Sequence, residues 1–137
     1  MVVKSQESRA IKNEDDIAVV RSSVKRVVAL LNFSLVNQTK IITAASELAR
    51  NVLEHGGGGE ARIELVDEGD RVGVRLSFED LGKGIPDFDK AMEDGYTTGK
   101  GMGLGLGGAK RLMDEFSITS NSPSGTKVSI TKWQERI

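Results

Sequence analysis

The placement of glycine limits this chain more than any other feature. Sixteen of its 137 residues are glycine, and they are clustered: four are Gly56 to Gly59 and nine lie between Gly82 and Gly108. Chains of ordinary composition carry ~7% glycine. Clustered glycine marks backbone that must bend sharply or approach another group closely. Regular elements must therefore be fitted around these two stretches. A length of 137 residues suits one domain, 1–137, with a core of its own.

Helical and strand periodicities fill the rest. Residues 2–11 read as a short first strand. Asn13 followed by Glu14, Asp15 and Asp16 has the form of a helix cap with acids against the positive dipole end. Ile17, Val20, Val24, Val27, Val28 and Leu31 then recur at helical spacing, predicting a helix that ends near Asn32. Ser34 caps a second helix running to about His55, with Ile41, Ala45, Leu48, Ala49 and Val52 on its apolar face. Glu47, Asn51 and His55 follow one another at a spacing of one turn, along one stripe beside that face.

Residues 61–67 and 72–80 alternate about Glu68-Gly69-Asp70, which predicts a hairpin whose second strand ends in Asp80. Residues 87–94 suit a short helix. A further helix carries Leu104, Leu106, Ala109, Leu112, Met113 and Phe116, and strands follow at 117–121 and 126–133. The elements do not alternate as βαβ units do. The expected class is α+β: a two-layer sandwich, with a mixed, mainly antiparallel sheet and helices on one face.

Composition removes several functions. There is no cysteine, which excludes disulfides, zinc–thiolate sites and a cysteine nucleophile. A single histidine, His55, excludes a histidine-rich metal site. Nineteen basic against 20 acidic residues leave a net charge of −1, which gives no bulk attraction to nucleic acid or an anionic membrane. No apolar run approaches the ~18 residues of a membrane span, and the N-terminus lacks a signal peptide's apolar stretch. A soluble cytoplasmic protein is expected.

Gly99 to Gly108 invites three readings. A Walker loop fails, because Gly95 and Gly99-Lys100 are separated by too few residues and Gly101, not a hydroxyl residue, follows the lysine. Gly103, Gly105 and Gly108 satisfy the dinucleotide fingerprint, but they follow a loop rather than a strand. The third reading is a lid, residues 95–103 with Thr97, Thr98 and Lys100, leading into a helix whose first N–H groups could meet phosphate.

Taken singly, these residues have ordinary roles. Glu47 and Asn51 suit a solvated helix face, Asp80 a strand-end turn, Arg50 and Lys100 solvent charges, and His55 a helix end. In order along the chain they make a pattern. Glu47-Leu48-Ala49-Arg50-Asn51 resembles the N box of the GHKL superfamily (gyrase, Hsp90, histidine kinases, MutL). Asp80-Leu81-Gly82-Lys83-Gly84 and Gly101 to Leu106 resemble its two glycine boxes, and Gly125-Thr126 its late Gly-Thr pair.

The resemblance implies the Bergerat ATP-binding fold and a set of roles. Asp80 would accept a hydrogen bond from the adenine amine, supported by Thr126. The nucleotide would be bound further by Gly82, Gly84, Ile85, Lys100, Gly101, Gly103, Leu104, Gly105 and Leu106. Asn51 would ligate Mg²⁺ through its amide oxygen. Glu47 would be the general base for the attacking hydroxyl. A chain of this length leaves no room for a following domain of the gyrase type, and His55 is misplaced for histidine self-phosphorylation.

Ser46 to Asn51 and Lys110 to Phe116 look most like the serine/threonine kinases of partner-switching pathways, of the stressosome RsbT type. Such kinases phosphorylate STAS-domain proteins, are released from them, and activate a PP2C phosphatase or another output. The alternatives are an RsbW-type anti-sigma factor kinase and a nucleotide-dependent binding module that transfers nothing.

Overall fold

The computed structural model describes residues 1–80, 106–120 and 125–135. The short helix expected over 87–94 and the lid expected over 95–103 lie outside them. The described elements are β1 (Val2–Ile11), α1 (Glu14–Val28), α2 (Leu35–Glu54), β2 (Gly59–Asp67), β3 (Arg71–Asp80), α3 (Leu106–Leu112), β4 (Glu115–Ser120) and β5 (Thr126–Glu135).

Local chemistry starts both long helices. The Asn13 side chain accepts from the Asp16 N–H at 3.1 Å, and the Asp16 carboxylate accepts from the Asn13 N–H at 3.3 Å, forming a capping box. Ser34 Oγ accepts from the Asn37 N–H at 3.1 Å and opens α2. α1 ends at Val28, one turn before the expected Asn32. The chain tightens there, with Leu30 and Leu31 N–H bonding to the Val27 and Val28 carbonyls. Asn32 N–H leaves the helix ladder for the Gln134 side chain at 2.8 Å.

The five strands form one sheet in the order β1-β2-β3-β5-β4. All four pairings are antiparallel, so the expected mixed, mainly antiparallel sheet is antiparallel throughout its described strands. Ala61 and Ile63 of β2, Val74, Leu76 and Phe78 of β3, and Val128 and Ile130 of β5 are buried in one cluster. Ile17, Val20, Val24, Val27 and Val28 of α1 and Ile41, Ala44, Ala45, Leu48, Ala49 and Val52 of α2 complete it. Each large apolar side chain so buried contributes about 1.5–3 kcal/mol. An exposed ion pair contributes about 0–1 kcal/mol, so this layer contact, not surface charge, holds helices to sheet.

The opposite face of the sheet is polar. Glu64, only 5% exposed, is held there by Arg75 at 2.8 Å, and Ser77 and Ser129 share a hydrogen bond at 3.1 Å.

Two expectations at the C-terminal end are corrected. Phe116 lies on β4, not on the preceding helix, and Met113 follows the end of α3. The Asp114 N–H bonds to the Thr131 carbonyl at 3.0 Å, and the ladder begins at Glu115 opposite Thr131. Pairing with β5 thus overrides the helical spacing. Phe116 reaches the same core from the strand. Lys132 Nζ donates to the Leu112 carbonyl at 3.2 Å and so satisfies an orphan acceptor at the end of α3.

Candidate functional site

The site is assembled where the C-terminal end of α2 meets the end of β3 and the start of β5. Burial of Leu48, Ala49 and Val52 fixes how α2 is rotated. Glu47 is then exposed, while Asn51, one turn and about 6 Å further along the axis, is half-buried. The Asn51 Nδ2 atom is fully buried and has no hydrogen-bond partner among the described residues. Buried polar groups are nearly always paired, so this N–H₂ donor suits a ligand that brings an acceptor to it.

Asn51 is also tied into the turn that follows. Its backbone carbonyl accepts from the N–H groups of His55 at 2.9 Å and Gly56 at 3.2 Å. Gly56 and Gly58 N–H both bond to the Val52 carbonyl. The turn needs positive φ at Gly57 (75°) and Gly58 (112°), which glycine adopts without steric cost. His55 closes α2 through its backbone.

This turn delivers the chain into β2 beside Asp80. Gly59 is paired with Asp80 in the β2–β3 ladder. The carboxyl of Asp80 lies against the Cα of Gly56, so close that a Cβ there would stand 2.4 Å from Asp80 Cγ and 2.7 Å from Oδ2. On the other side, the register Glu79 opposite Lys127 puts Thr126 across from Asp80 at the next step. Thr126 is buried. Asn51, Asp80 and Thr126 are therefore gathered at one end of the layers, by three elements distant in sequence.

Leu106 opens α3, which packs on α2. The remaining expected nucleotide-binding residues, Gly82, Gly84, Ile85, Lys100, Gly101, Gly103, Leu104 and Gly105, lie outside the described residues.

Arg50 has a structural role. It reaches Glu14 of α1 at 3.0 Å and Glu54 at 3.5 Å. Its guanidinium is held above its ordinary range chiefly by the hydrogen bond to Glu14. The Glu14 pair links α2 to the start of α1. The clustered glycines Gly56 to Gly59 signal a close backbone approach, and the structure identifies Asp80 as the group approached by Gly56 and Gly59, which the sequence does not name.

Among the described residues no group of three acidic or histidine side chains could cage a metal ion. A divalent ion at Asn51 would be shared between its amide oxygen and oxygens of a bound substrate. That donor set fits Mg²⁺, which keeps few protein ligands and favours phosphate oxygens.

Known proteins share the sequence and the fold. The profile of the family described as histidine kinase-, DNA gyrase B-, and HSP90-like ATPase matches residues 36–136. The serine/threonine-protein kinase RsbT of Bacillus subtilis is 46% identical over 123 residues, covering 90% of this chain and 92% of that protein. An anti-sigma F factor of Bacillus licheniformis is 33% identical over 119 residues, covering 82% and 80%. The crystal structure of the RsbU and RsbW domains of Rv1364c from Mycobacterium tuberculosis superposes with a TM-score of 0.67 at 20% identity. It covers 96% of this chain and 33% of that one, a likeness of fold.

Proposed function

Since the chain belongs to the histidine kinase-, DNA gyrase B- and HSP90-like ATPase family, and within it is an ATP-dependent protein serine/threonine kinase, we propose that its substrates are STAS-domain proteins of a partner-switching pathway. The observation that carries the proposal is the 46% identity to the serine/threonine-protein kinase RsbT over 90% of this chain. Two features at one end of α2 support the nucleotide site: the buried Asn51 Nδ2, without a partner among the described residues, and the Asp80 carboxyl lodged against Gly56.

In this reading each residue has one task. Asp80 accepts a hydrogen bond from the adenine amine and so selects adenine over guanine. Thr126, beside it in the register, keeps that carboxylate in place. Asn51 offers its amide oxygen to Mg²⁺, which when bound neutralises charge on the phosphates. Glu47, exposed to an incoming protein, takes the proton of the substrate hydroxyl as its oxygen attacks the γ-phosphorus and ADP leaves. The glycine boxes and Lys100 contribute the remaining phosphate contacts.

After transfer the kinase leaves its phosphorylated partner and activates an output protein such as a PP2C phosphatase. No helix among the described residues is long and apolar enough to cross a membrane. We place the kinase in the cytoplasm, where such partners act.

The test is to mix the purified chain with Mg·ATP and candidate STAS-domain proteins and to map phosphate by mass. Transfer to one serine or threonine is expected; none to any candidate would refute the substrate class. The second reading, an anti-sigma kinase, is favoured by the 33% identity to an anti-sigma F factor. A stable complex with a purified sigma factor would support it.

A further inference from the structure

We propose that Gly56 is a positioning residue for purine selection. Its missing side chain makes the seat in which the Asp80 carboxylate lies. The inference rests on the reading of Asp80 as the adenine acceptor, and adds a residue that acts through it.

Three observations carry it. First, the clearance is smaller than any side chain allows: a Cβ on Gly56 would stand 2.4 Å from Cγ, 2.5 Å from Cβ and 2.7 Å from Oδ2 of Asp80. All three contacts are with the Asp80 side chain, so the carboxyl must move or the turn must retreat. Second, the backbone of Gly56 does not need glycine, since its φ is not among the positive values found at Gly57, Gly58, Gly69 and Gly125. Space, not conformation, is the demand at this position. Third, Gly56 cannot easily retreat. Its N–H is held by the carbonyls of Asn51 and Val52 at 3.2 and 3.1 Å.

Gly59, the first residue of β2 and the ladder partner of Asp80, confines the backbone of Asp80. A Cβ there would strike the Glu79 carbonyl oxygen and approach the Asp80 Cα to 2.9 Å. The chain of contacts therefore runs from the Asn51 carbonyl through Gly56 to the Asp80 carboxylate. It links the residue expected at the phosphates to the residue expected at the base.

A methyl group at position 56 should turn the carboxylate away from the base. Hydrogen bonds weaken steeply with misalignment, and those to charged groups are the stronger kind. Gly56→Ala should therefore weaken binding of a non-hydrolysable ATP analogue by about tenfold to a hundredfold. The inosine counterpart lacks the amine, so its affinity should change little and the adenine preference should collapse. Gly57→Ala is the control. It places a side chain at φ 75° with nothing within 4 Å, so it should lower the melting temperature yet leave the adenine preference intact.

The decisive measurement is a double-mutant cycle by calorimetric titration, with Gly56→Ala, Asp80→Gly and the pair, since glycine at 80 removes both the carboxylate and the Cβ that a methyl at 56 would strike. If Gly56 acts through the carboxylate, Gly56→Ala should cost nothing further in the Asp80→Gly background. A full additive loss in the pair overturns the proposal, as does parent affinity and preference in Gly56→Ala while Asp80→Gly binds poorly. Parent affinity in Asp80→Gly would instead refute the reading of the base site, and the proposal with it. If Gly56→Ala does not fold, adding Asp80→Gly removes the carbons it strikes and should restore the melting transition. A pair that stays unfolded overturns the proposal.

Discussion

Glu47→Gln tests the proposed chemistry while sparing the fold. Glu47 is exposed on α2, and no ion pair or hydrogen bond of its side chain is found among the described residues. Replacement by an amide of equal size should therefore change stability by no more than about 0.5 kcal/mol. Its place on the helix defines the expected kinetic effect. It stands one turn, about 6 Å, from Asn51, so a hydroxyl presented to a phosphate held at Asn51 would approach from the Glu47 side. If Glu47 takes that proton, its loss should slow transfer by ~10²- to 10⁴-fold. That is about 2.7 to 5.5 kcal/mol of barrier. Nucleotide affinity should stay at the parent value. The assay is single-turnover transfer from labelled ATP to a STAS-domain substrate, run across a Mg²⁺ series beside Asn51→Asp. Aspartate keeps an oxygen for the metal but adds a charge to a half-buried position, which disfavours the empty protein. Raising Mg²⁺ should partly rescue Asn51→Asp and leave Glu47→Gln unchanged. Transfer by Glu47→Gln at the parent rate would refute the base. A loose transition state that needs only positioning and metal would then be the better account.

Other outcomes follow from particular contacts. Asp80→Asn preserves the shape seated against Gly56 but can turn a donor toward the adenine amine, so analogue affinity should fall about tenfold or more with the melting temperature nearly unchanged; equal affinity in titration would remove Asp80 from the base site. Arg75→Met strands the carboxylate of Glu64, whose side chain is 7% exposed, and should cost up to about 3 kcal/mol in urea unfolding. Adding Glu64→Leu should recover most of that loss, and a double variant as weak as the single would contradict the ion-pair account. Asn13→Ala removes half of the capping box and should cost about 1 kcal/mol, a fall of about 3 °C in melting temperature; an unchanged melting curve would show that α1 does not depend on its cap.

What the amino-acid order determined by itself was local. The caps at Asn13 and Ser34, the helical spacing from Ile17 to Val28 and from Ile41 to Val52, and the alternation through β2 and β3 are all effects among residues a few positions apart. An N box, two glycine boxes and a Gly-Thr pair occur in order, so the sequence also picks out Glu47, Asn51, Asp80 and Thr126 as candidates. Errors arose where a local signal competed with a distant one. Met113 and Phe116 keep helical spacing with Ala109 and Leu112, but the ladder with β5 claims the chain from Glu115 onward. Only the tertiary structure decided that β5 lies between β3 and β4, which brings Thr126 alongside Asp80. It alone revealed that the buried Asn51 Nδ2 is without a partner among the described residues, and that the Asp80 side chain fills the space beside Gly56. These are matters of which surfaces meet. Strand order and clearance depend on packing between elements far apart in the chain, and hydrophobic periodicity specifies that a face is buried without specifying against what.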